Sequence, residues 1–382
     1  MKVALVHDWL TGMRGGERCL EVLCELYPDA DLYTLVYVKG QLSEVIERMK
    51  ITSSFLQKFP GISKHYRSYL PFFPMAIEQF DLKGYDLIIS TSHCVAKGIL
   101  PMPDSLHICY CFTPMRYIWD MYFEYFKGTG LGFRKFFIPA LSNYLRIWDV
   151  TSSKRVDFFI AISNHVQRRI KKYYGRESVV IYPPVDCSFF QPSKKADKEG
   201  DYFLMVTAMA PYKRLDIAIE AFNRLRRRLL IIGEGPGMRS LKKMAKTNIE
   251  FLGWLSNEKV KDYYQGCRAF IFPGEEDFGI TPVEAQACGK PVIAYGRGGV
   301  LESTVPFPQE KVTGVFFHQQ TAESLLQAID LFERNRDRFD PQEIRKNALL
   351  FDQKNFREKI RSFVEEKYRA FRASLGKGVS SC

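Results

Sequence analysis

The stretch AFIFPGEEDFGITPVEAQACGKPVIAYGRGG, residues 269–299, carries the pattern that decides the fold. A short apolar run at 269–272 predicts a buried strand, a helix is predicted at 282–287, and a second apolar run at 292–295 predicts another strand. Strand, helix and strand in this order form one unit of a parallel sheet with helices on its faces. Glycines follow the second strand, as expected where a chain turns at a sheet edge.

The same alternation extends through most of the chain. In the carboxyl-terminal half of the chain, the alternation before residue 269 predicts strands at 203–207, 229–232 and 249–252. Helices predicted at 214–227, 238–245 and 257–265 follow these strands. The amino-terminal half predicts strands at 2–7, 86–89, 106–111 and 158–162, with a glycine-rich turn (Gly12, Gly15, Gly16) before a helix at 17–26. We therefore predict an α/β protein with two doubly wound Rossmann-like domains that face one another across a cleft.

Breaks in this alternation suggest the domain boundaries. Pro183-Pro184 and the polar segment 191–201 interrupt the pattern. We place the first domain at 1–178 and the second at 179–351. The charged helical segment 352–375 is expected to pack back on the first domain.

Composition narrows the class of protein. The 382 residues carry 55 Lys and Arg against 43 Asp and Glu, a formal charge of +12. This excess suits nucleic acid, an anionic membrane surface or nucleotide phosphates, and charge alone does not choose among them. The apolar fraction of 46% excludes intrinsic disorder. The sequence shows no membrane span or signal peptide, so we expect a cytoplasmic protein.

Cysteine and histidine spacing argues against a metal site. The nine cysteines are irregularly spaced, and the six histidines show no H-E-x-x-H pattern. Asp29-Ala30-Asp31 is an isolated D-x-D motif. We expect reduced thiols, no metal and no cofactor.

Most candidate ligand-binding residues lie in the loop and the predicted helix after residue 272. Thr281 is predicted to cap the helix and Pro282 to open it, which would aim the amides of 279–283 at an anion. Glu276 lies in the loop and Glu284 in the first turn of the predicted helix. An anion site flanked by carboxylates suits a ligand with phosphates and hydroxyls, such as a nucleotide sugar.

The motif EDFGITPVE, residues 276–284, resembles the E-x7-E signature of glycosyltransferase family 4, whose members are retaining enzymes with the GT-B fold. Segments throughout 159–302 resemble its carboxyl-terminal domain. HDWLTGMRGGERCLE (7–21) and YCFTPMRYIWD (110–120) resemble bacterial members that transfer mannose, usually from GDP-mannose, in O-antigen and exopolysaccharide assembly. The resemblance implies a mannosyltransferase acting on a lipid-linked or oligosaccharide acceptor. It also implies that 1–178 is the acceptor-side domain and that 179–351 is the nucleotide-sugar donor domain. A UDP- or dTDP-sugar donor remains an alternative.

The resemblance also implies roles for individual residues. Glu276 would contact donor-sugar hydroxyls, Glu284 the ribose, and Lys213 the diphosphate, while His93 would lie near the anomeric centre. Backbone or loop contacts to the donor would come from Gly15, Gly16, Gly233, Gly235, Trp254, Leu255, Phe278, Gly279, Ile280 and Thr281. Many members carry an arginine where this chain has Ala208, so Arg214 or Arg116 would replace it.

Residues 110–148 combine thirteen aromatic residues with interspersed basic ones. One interpretation is an aromatic core with a solvated basic face. The other is an amphipathic surface that docks on the inner face of the cell membrane and meets the acceptor. The residues proposed for it are Arg116, Tyr117, Trp119, Arg134 and Lys135. A non-catalytic basic protein that binds membrane or nucleic acid remains a further alternative. No motif for nucleic-acid binding accompanies the charge, so we expect no nucleic-acid partner.

Overall fold

The computed structural model describes residues 1–123, 134–193 and 200–377. The chain divides into two compact units, Met1–Pro184 with the residues from Phe356 onwards, and Val185–Asn355. The sequence boundary at 178/179 cuts into a strand of the first sheet, Ser178–Val180, and this pairing carries the first unit on to Pro184.

The first unit is built on a seven-stranded sheet in the order β3-β2-β1-β4-β5-β6-β7. All of its strand pairs are parallel. The strands are β1 Val3–His7, β2 Asp31–Thr34, β3 Lys50–Ser53, β4 Leu87–Ser92, β5 Leu106–Cys111, β6 Phe158–Ala161 and β7 Ser178–Val180. The strand order reverses between β1 and β4, where doubly wound folds bind their ligands.

Helices cover the faces of this sheet. They are α1 Gly15–Leu26, α2 Glu44–Glu47, α3 Ile62–His65, α4 Phe73–Glu78, α5 Arg134–Ser153 and α6 Asn164–Tyr174, with 3-10 turns at Phe55–Lys58, Tyr66–Phe72 and Ala96–Gly98. The apolar stripe predicted for α1, with Cys19, Leu20, Leu23 and Cys24, is buried. Gly15 and Gly16 open this helix and do not belong to the preceding turn, because Glu17 accepts the Arg14 amide and caps the helix there.

The second unit has a six-stranded parallel sheet in the order β10-β9-β8-β11-β12-β13. The strands are β8 Tyr202–Val206, β9 Arg228–Ile232, β10 Ile249–Gly253, β11 Phe270–Phe272, β12 Val292–Tyr295 and β13 Gly314–Phe317. The helices are α7 Leu215–Leu225, α8 Met238–Met244, α9 Asn257–Gly266, α10 Ile280–Ala287, α11 Val300–Ser303, α12 Ala322–Arg334 and α13 Pro341–Leu349. The 3-10 turns are Pro211–Lys213 and Arg336–Arg338. The order reverses between β8 and β11.

The last helix, α14, spans Gln353–Lys377. The Phe356 ring packs edge-on against Tyr110 of β5, with ring centroids 5.5 Å apart, and Arg357 pairs with Glu25 of α1. These contacts tie the charged carboxyl-terminal segment to the first sheet. In the part of the chain that the structure describes, no helix is long and apolar enough to cross a membrane.

Candidate functional site

The donor-binding residues predicted in the second unit all follow strands at one edge of its sheet. Trp254 follows β10, Gly233 follows β9, Lys213 follows β8 and Glu276 follows β11. Because the strands are parallel and adjacent, their carboxyl ends bring these residues to a common edge. The sequence motifs therefore converge in space, with Lys213 and Glu276 on either side of the switch point.

Lys213 and Glu276 form an ion pair at that switch point. Their side chains are 14% and 19% exposed, so the pair is largely removed from solvent and still reachable from it. A small pocket between the ends of β8 and β11 is lined by both side chains and by Thr207, Phe272 and Gly274. The cation assigned to a diphosphate and the carboxylate assigned to sugar hydroxyls thus occupy one pocket.

Helix α10 begins earlier than predicted. Its first residue is Ile280, and its N-cap is Gly279 rather than Thr281. Gly279 adopts φ 87°, a left-handed conformation that turns the chain into the helix and that glycine tolerates. Pro282 is therefore the third helical residue, where its missing N–H is still among the unpaired first four. The amides of Ile280 and Thr281 have no acceptor within the helix and suit an anion.

Glu284 lies in the second turn of α10 rather than the first, and only 4% of it is exposed. Its carboxylate accepts a hydrogen bond from the Tyr264 hydroxyl of α9 at 3.0 Å. Burial raises the pKa of Tyr264 well above its usual range, so this phenol remains a donor. Tyr264 thus holds the orientation of the Glu284 carboxylate, a contact that the motif alone did not reveal.

The glycines after β9 have a packing role. A Cβ at Gly233 would lie 2.0 Å from the Thr207 carbonyl oxygen, and one at Gly235 would lie 2.8 Å from the Met209 nitrogen. This turn therefore packs backbone to backbone against the segment after β8. Trp254, by contrast, is 74% exposed at the end of β10, followed by the half-buried Leu255.

Arg214 is the N-cap of α7 and adopts φ 52°. Its guanidinium donates to Asp216 and, at 3.1 Å, to Gln320, whose amide donates to the carbonyl of Pro273. Arg214 is thereby connected to the start of the loop that carries Glu276. Ala208 lies between β8 and the Pro211–Lys213 turn and contributes no cation.

Backbone contacts from the segment after β12 support the Glu276 loop. The Gly299 amide donates to the Glu276 carbonyl at 2.8 Å. A Cβ at Gly298 would lie 2.3 Å from the same carbonyl oxygen, and one at Gly299 would lie 2.3 Å from the Phe278 Cα. Only glycine permits this approach, so Gly298 and Gly299 position the loop.

A second convergence occurs at the switch point of the first sheet. His93 follows β4, and its Nδ1 lies 3.0 Å from Asp8 Oδ2 at the end of β1. Gly16 belongs to the same cluster, since a Cβ there would lie 3.3 Å from the Phe112 ring and 3.6 Å from His7. His93, Gly15 and Gly16 were predicted from the sequence, whereas Asp8 and Phe112 were not.

His7 and Glu17 lie beneath this cluster and are buried. Burial lowers the pKa of His7 to about 3, so its ring stays neutral, with Nδ1 2.7 Å from the Thr91 hydroxyl. Burial likewise raises the pKa of Glu17. The polar atoms of His7 and Glu17 therefore stabilise the fold around Gly16, through contacts with Thr91 and with the Arg14 amide.

Comparison with known proteins assigns both units. The family described as Glycosyltransferase Family 4 matches residues 13–189, and the family described as Glycosyl transferases group 1 matches residues 188–351. Together the two models cover residues 13–351 of the chain, and both describe glycosyltransferases. The HepE protein of Anabaena, solved in complex with UDP, shares the GT-B fold of this chain, with a TM-score of 0.69 at 16% identity over 96% of this chain and 100% of HepE.

Two curated relatives are mannosyltransferases by name. The O-antigen chain mannosyltransferase C of Escherichia coli is 28% identical, covering 48% of this chain and 52% of the relative. A GDP-mannose-dependent phosphatidylinositol monomannoside mannosyltransferase of Corynebacterium glutamicum is 28% identical, covering 40% and 47%. The chain spans about half the length of the curated relatives it matches.

Several described aromatic residues of segment 110–148, among them Tyr117, Trp119 and Trp148, pack against the core of the first unit. Trp119 is half-buried and stacks on Tyr173 at 4.6 Å, and its Nε1 donates to the buried Asp149 at 2.8 Å. Tyr117 is half-buried and lies 2.8 Å from Cys94 Sγ through its hydroxyl. Trp119 and Tyr117 were predicted to lie on a membrane-docking surface. Their polar atoms instead contact Asp149 and Cys94 in the interior of the first unit. Arg116 is half-buried beside them; the side chains of Arg134 and Lys135 lie outside the described residues.

Lys97 and Asp149 form a fully buried ion pair in the first unit. We expect Asp149→Ala to cost about 3–5 kcal/mol in the free energy of unfolding, because Lys97 would keep an uncompensated charge. The donors Trp119 and Tyr174 would lose their acceptor too. Urea unfolding measures the effect. The control is Glu44→Ala, which removes the exposed partner of Arg48 and should cost less than about 1 kcal/mol; equal costs would contradict the prediction.

In the described part of the chain, no group of three or more His, Cys, Asp and Glu side chains is arranged to hold a metal ion. Asp31 of the isolated D-x-D motif is engaged instead by Lys50, at 2.8 Å, and by the Tyr85 hydroxyl.

Proposed function

We propose that the protein is a retaining glycosyltransferase that moves mannose from GDP-mannose to a lipid-linked or oligosaccharide acceptor in bacterial surface polysaccharide synthesis. The observation that carries this proposal is the Lys213–Glu276 pair, at a sheet's switch point and next to the start of α10. The choice of mannose is supported by the names of the two mannosyltransferase relatives.

Charge development explains how these residues would act. Breaking the bond between the anomeric carbon and the diphosphate oxygen leaves negative charge on the nucleoside diphosphate. Lys213 and the unpaired amides of Ile280 and Thr281 would stabilise that charge, as fixed cations and dipoles do best in a site shielded from water. Glu276 would hold the sugar by its hydroxyls while Glu284 takes the ribose diol.

The bond changes balance without an enzyme nucleophile. The acceptor oxygen attacks the anomeric carbon from the face that the diphosphate leaves, and its proton passes to the departing diphosphate oxygen. One carbon–oxygen bond forms as one breaks, and the configuration is retained. No further reactant is required.

A nucleotide panel tests the choice of donor. A ligand that binds only the folded protein raises its apparent stability, so GDP and GDP-mannose should raise the melting temperature more than UDP, dTDP or their sugars at equal concentration. Mass spectrometry of products formed on a lipid-linked acceptor should then show an added hexose. A response to UDP or dTDP alone would replace the donor assignment, and binding of DNA without any nucleotide response would reject the enzyme class.

We also propose that the protein associates with the membrane surface through helix α5. Phe137, Tyr144 and Ile147 are 47%, 48% and 61% exposed, and their spacing places them on one face of the helix. An exposed apolar stripe on a basic protein suits an anionic bilayer, where the acceptor's lipid would lie.

Substituting Ile147 tests this association. We expect Ile147→Glu to reduce cosedimentation with vesicles of anionic phospholipid, because a carboxylate would replace an inserted side chain. Leu350→Glu is the matched control, since Leu350 is 62% exposed and lies in the second unit. Equal binding by both variants and the wild type would exclude α5 as the docking helix.

A further inference from the structure

Asp8 is a completely buried carboxylate at the switch point of the first sheet. Its Oδ2 accepts the amides of His93 and Cys94 at 2.7 and 2.9 Å, and its Oδ1 accepts those of Val95 and Ala96 at 2.7 Å each. Four consecutive amides from the segment after β4 therefore converge on the one side chain that follows β1. This arrangement fixes the backbone that carries His93.

The His93 ring is held as firmly as its backbone. Its Nδ1 lies 3.0 Å from Asp8 Oδ2, and the Trp9 ring meets it edge-on with centroids 4.4 Å apart. The Phe112 ring is 6.2 Å away. The side chain is nevertheless 32% exposed, and none of the described residues hydrogen-bonds its Nε2 atom. One ring nitrogen is thus committed to Asp8, and the other is available to a ligand.

The charge state of Asp8 determines which nitrogen carries the proton. Burial alone would raise the pKa of Asp8, but the charge of His93 and the hydrogen bonds from it lower that pKa below its usual range. An ionised carboxylate only accepts hydrogen bonds, so Nδ1 must be the protonated nitrogen. In the neutral ring, Nε2 is then an acceptor.

We propose that Asp8 is a positioning residue that holds His93 in its Nδ1–H tautomer, so that Nε2 accepts a hydrogen bond from a hydroxyl of a carbohydrate ligand. This inference rests on the proposed function, because it assigns the ligand as a sugar. The hydroxyl comes either from the donor sugar or from the acceptor glycan. Both present the same O–H group to the same nitrogen.

Histidine-selective nitrogen NMR of the full-length protein tests the tautomer directly. The His93 signals are assigned by their loss in His93→Asn, and the pH is raised until they no longer change. We expect the remaining ring proton on Nδ1; a proton on Nε2 would overturn the proposal. This readout needs no activity, so a wild-type protein that transfers no sugar would reject the proposed function and leave the tautomer result standing.

Two variants of His93 separate its two nitrogens. Asp8→Asn is unsuitable by itself, because its NH₂ group would face amide donors and destabilise the fold. His93→Asn retains an N–H near the Nδ1 position but has no atom at Nε2. His93→Gln places an amide oxygen near Nε2. We expect His93→Asn to melt like the wild type and to lose about 10²-fold in kcat for transfer, with His93→Gln recovering part of that loss.

Donor hydrolysis identifies the source of the hydroxyl. If it belongs to the donor sugar, His93→Asn lowers both hydrolysis in the absence of acceptor and transfer; if it belongs to the acceptor, only transfer falls. Either result supports a contact at Nε2. Wild-type transfer by His93→Asn, or His93→Gln no better than His93→Asn, would overturn it.

Discussion

Replacing Lys213 by methionine is expected to lower kcat/KM for sugar transfer by about 10²- to 10³-fold, the cost of removing one preorganised group that stabilises developing negative charge. Lys213 is the cation that ends the turn after β8 and reaches Glu276 across the switch point. Ala208 supplies no second cation from the same segment. Initial rates with saturating acceptor measure the loss. Methionine preserves the apolar stem and removes only the charge.

Two comparisons separate catalysis from ion pairing. Lys243→Met removes an equivalent charge from the exposed surface of α8 and should leave kcat/KM unchanged. If Lys213 only neutralised Glu276, then Lys213→Met would cost nothing in a Glu276→Gln background. We expect that background to show a further large loss for Lys213→Met. If the double variant transferred sugar as fast as Glu276→Gln alone, Lys213 would have a purely structural role.

Strand prediction succeeded where strands are buried on both faces and was incomplete among the strands of three or four residues. The apolar runs of β5 and β12 match the structure at both ends. No strand range was predicted for β2, β3, β7 and β13, each of three or four residues; β3, β7 and β13 are edge strands, and β2 lies inside the first sheet. An edge strand pairs on one side only, and β3 and β7 bury few side chains, so the apolar periodicity that identifies a strand is short or missing.

Residues of the candidate site were predicted where a local motif contains them and were missed where only long-range contacts identify them. Lys213 and Glu276 stand in local motifs, and the chain order of the sheet brings them together. Asp8 was missed because it binds amides about 85 residues away, a relation that no spacing in the sequence expresses. The start of α10 was misplaced because a left-handed Gly279 caps the helix by backbone conformation, whereas the sequence offered Thr281, a good side-chain cap.

Gly298→Ala is expected to reduce kcat/KM by about 10²-fold, because it displaces the loop that carries Glu276. The new Cβ would lie 2.3 Å from the Glu276 carbonyl oxygen and 3.2 Å from its nitrogen, so the loop must shift by a substantial fraction of an ångström. Displacement of a substrate-contacting group by about 1 Å can cost this much in rate. Crystal structures or amide chemical shifts of residues 274–279 would show the movement.

Gly40→Ala isolates the backbone contribution to this effect. Gly298 and Gly40 both have φ 78°, but a Cβ at Gly40 would meet no atom within 4 Å. Both variants pay the cost of a left-handed alanine, about 1–2 kcal/mol in the free energy of unfolding, and only Gly298→Ala adds a collision with the loop. We therefore expect Gly40→Ala to be destabilised and fully active. Equal activity of the two variants would mean that the Glu276 loop tolerates displacement and that its position does not limit transfer.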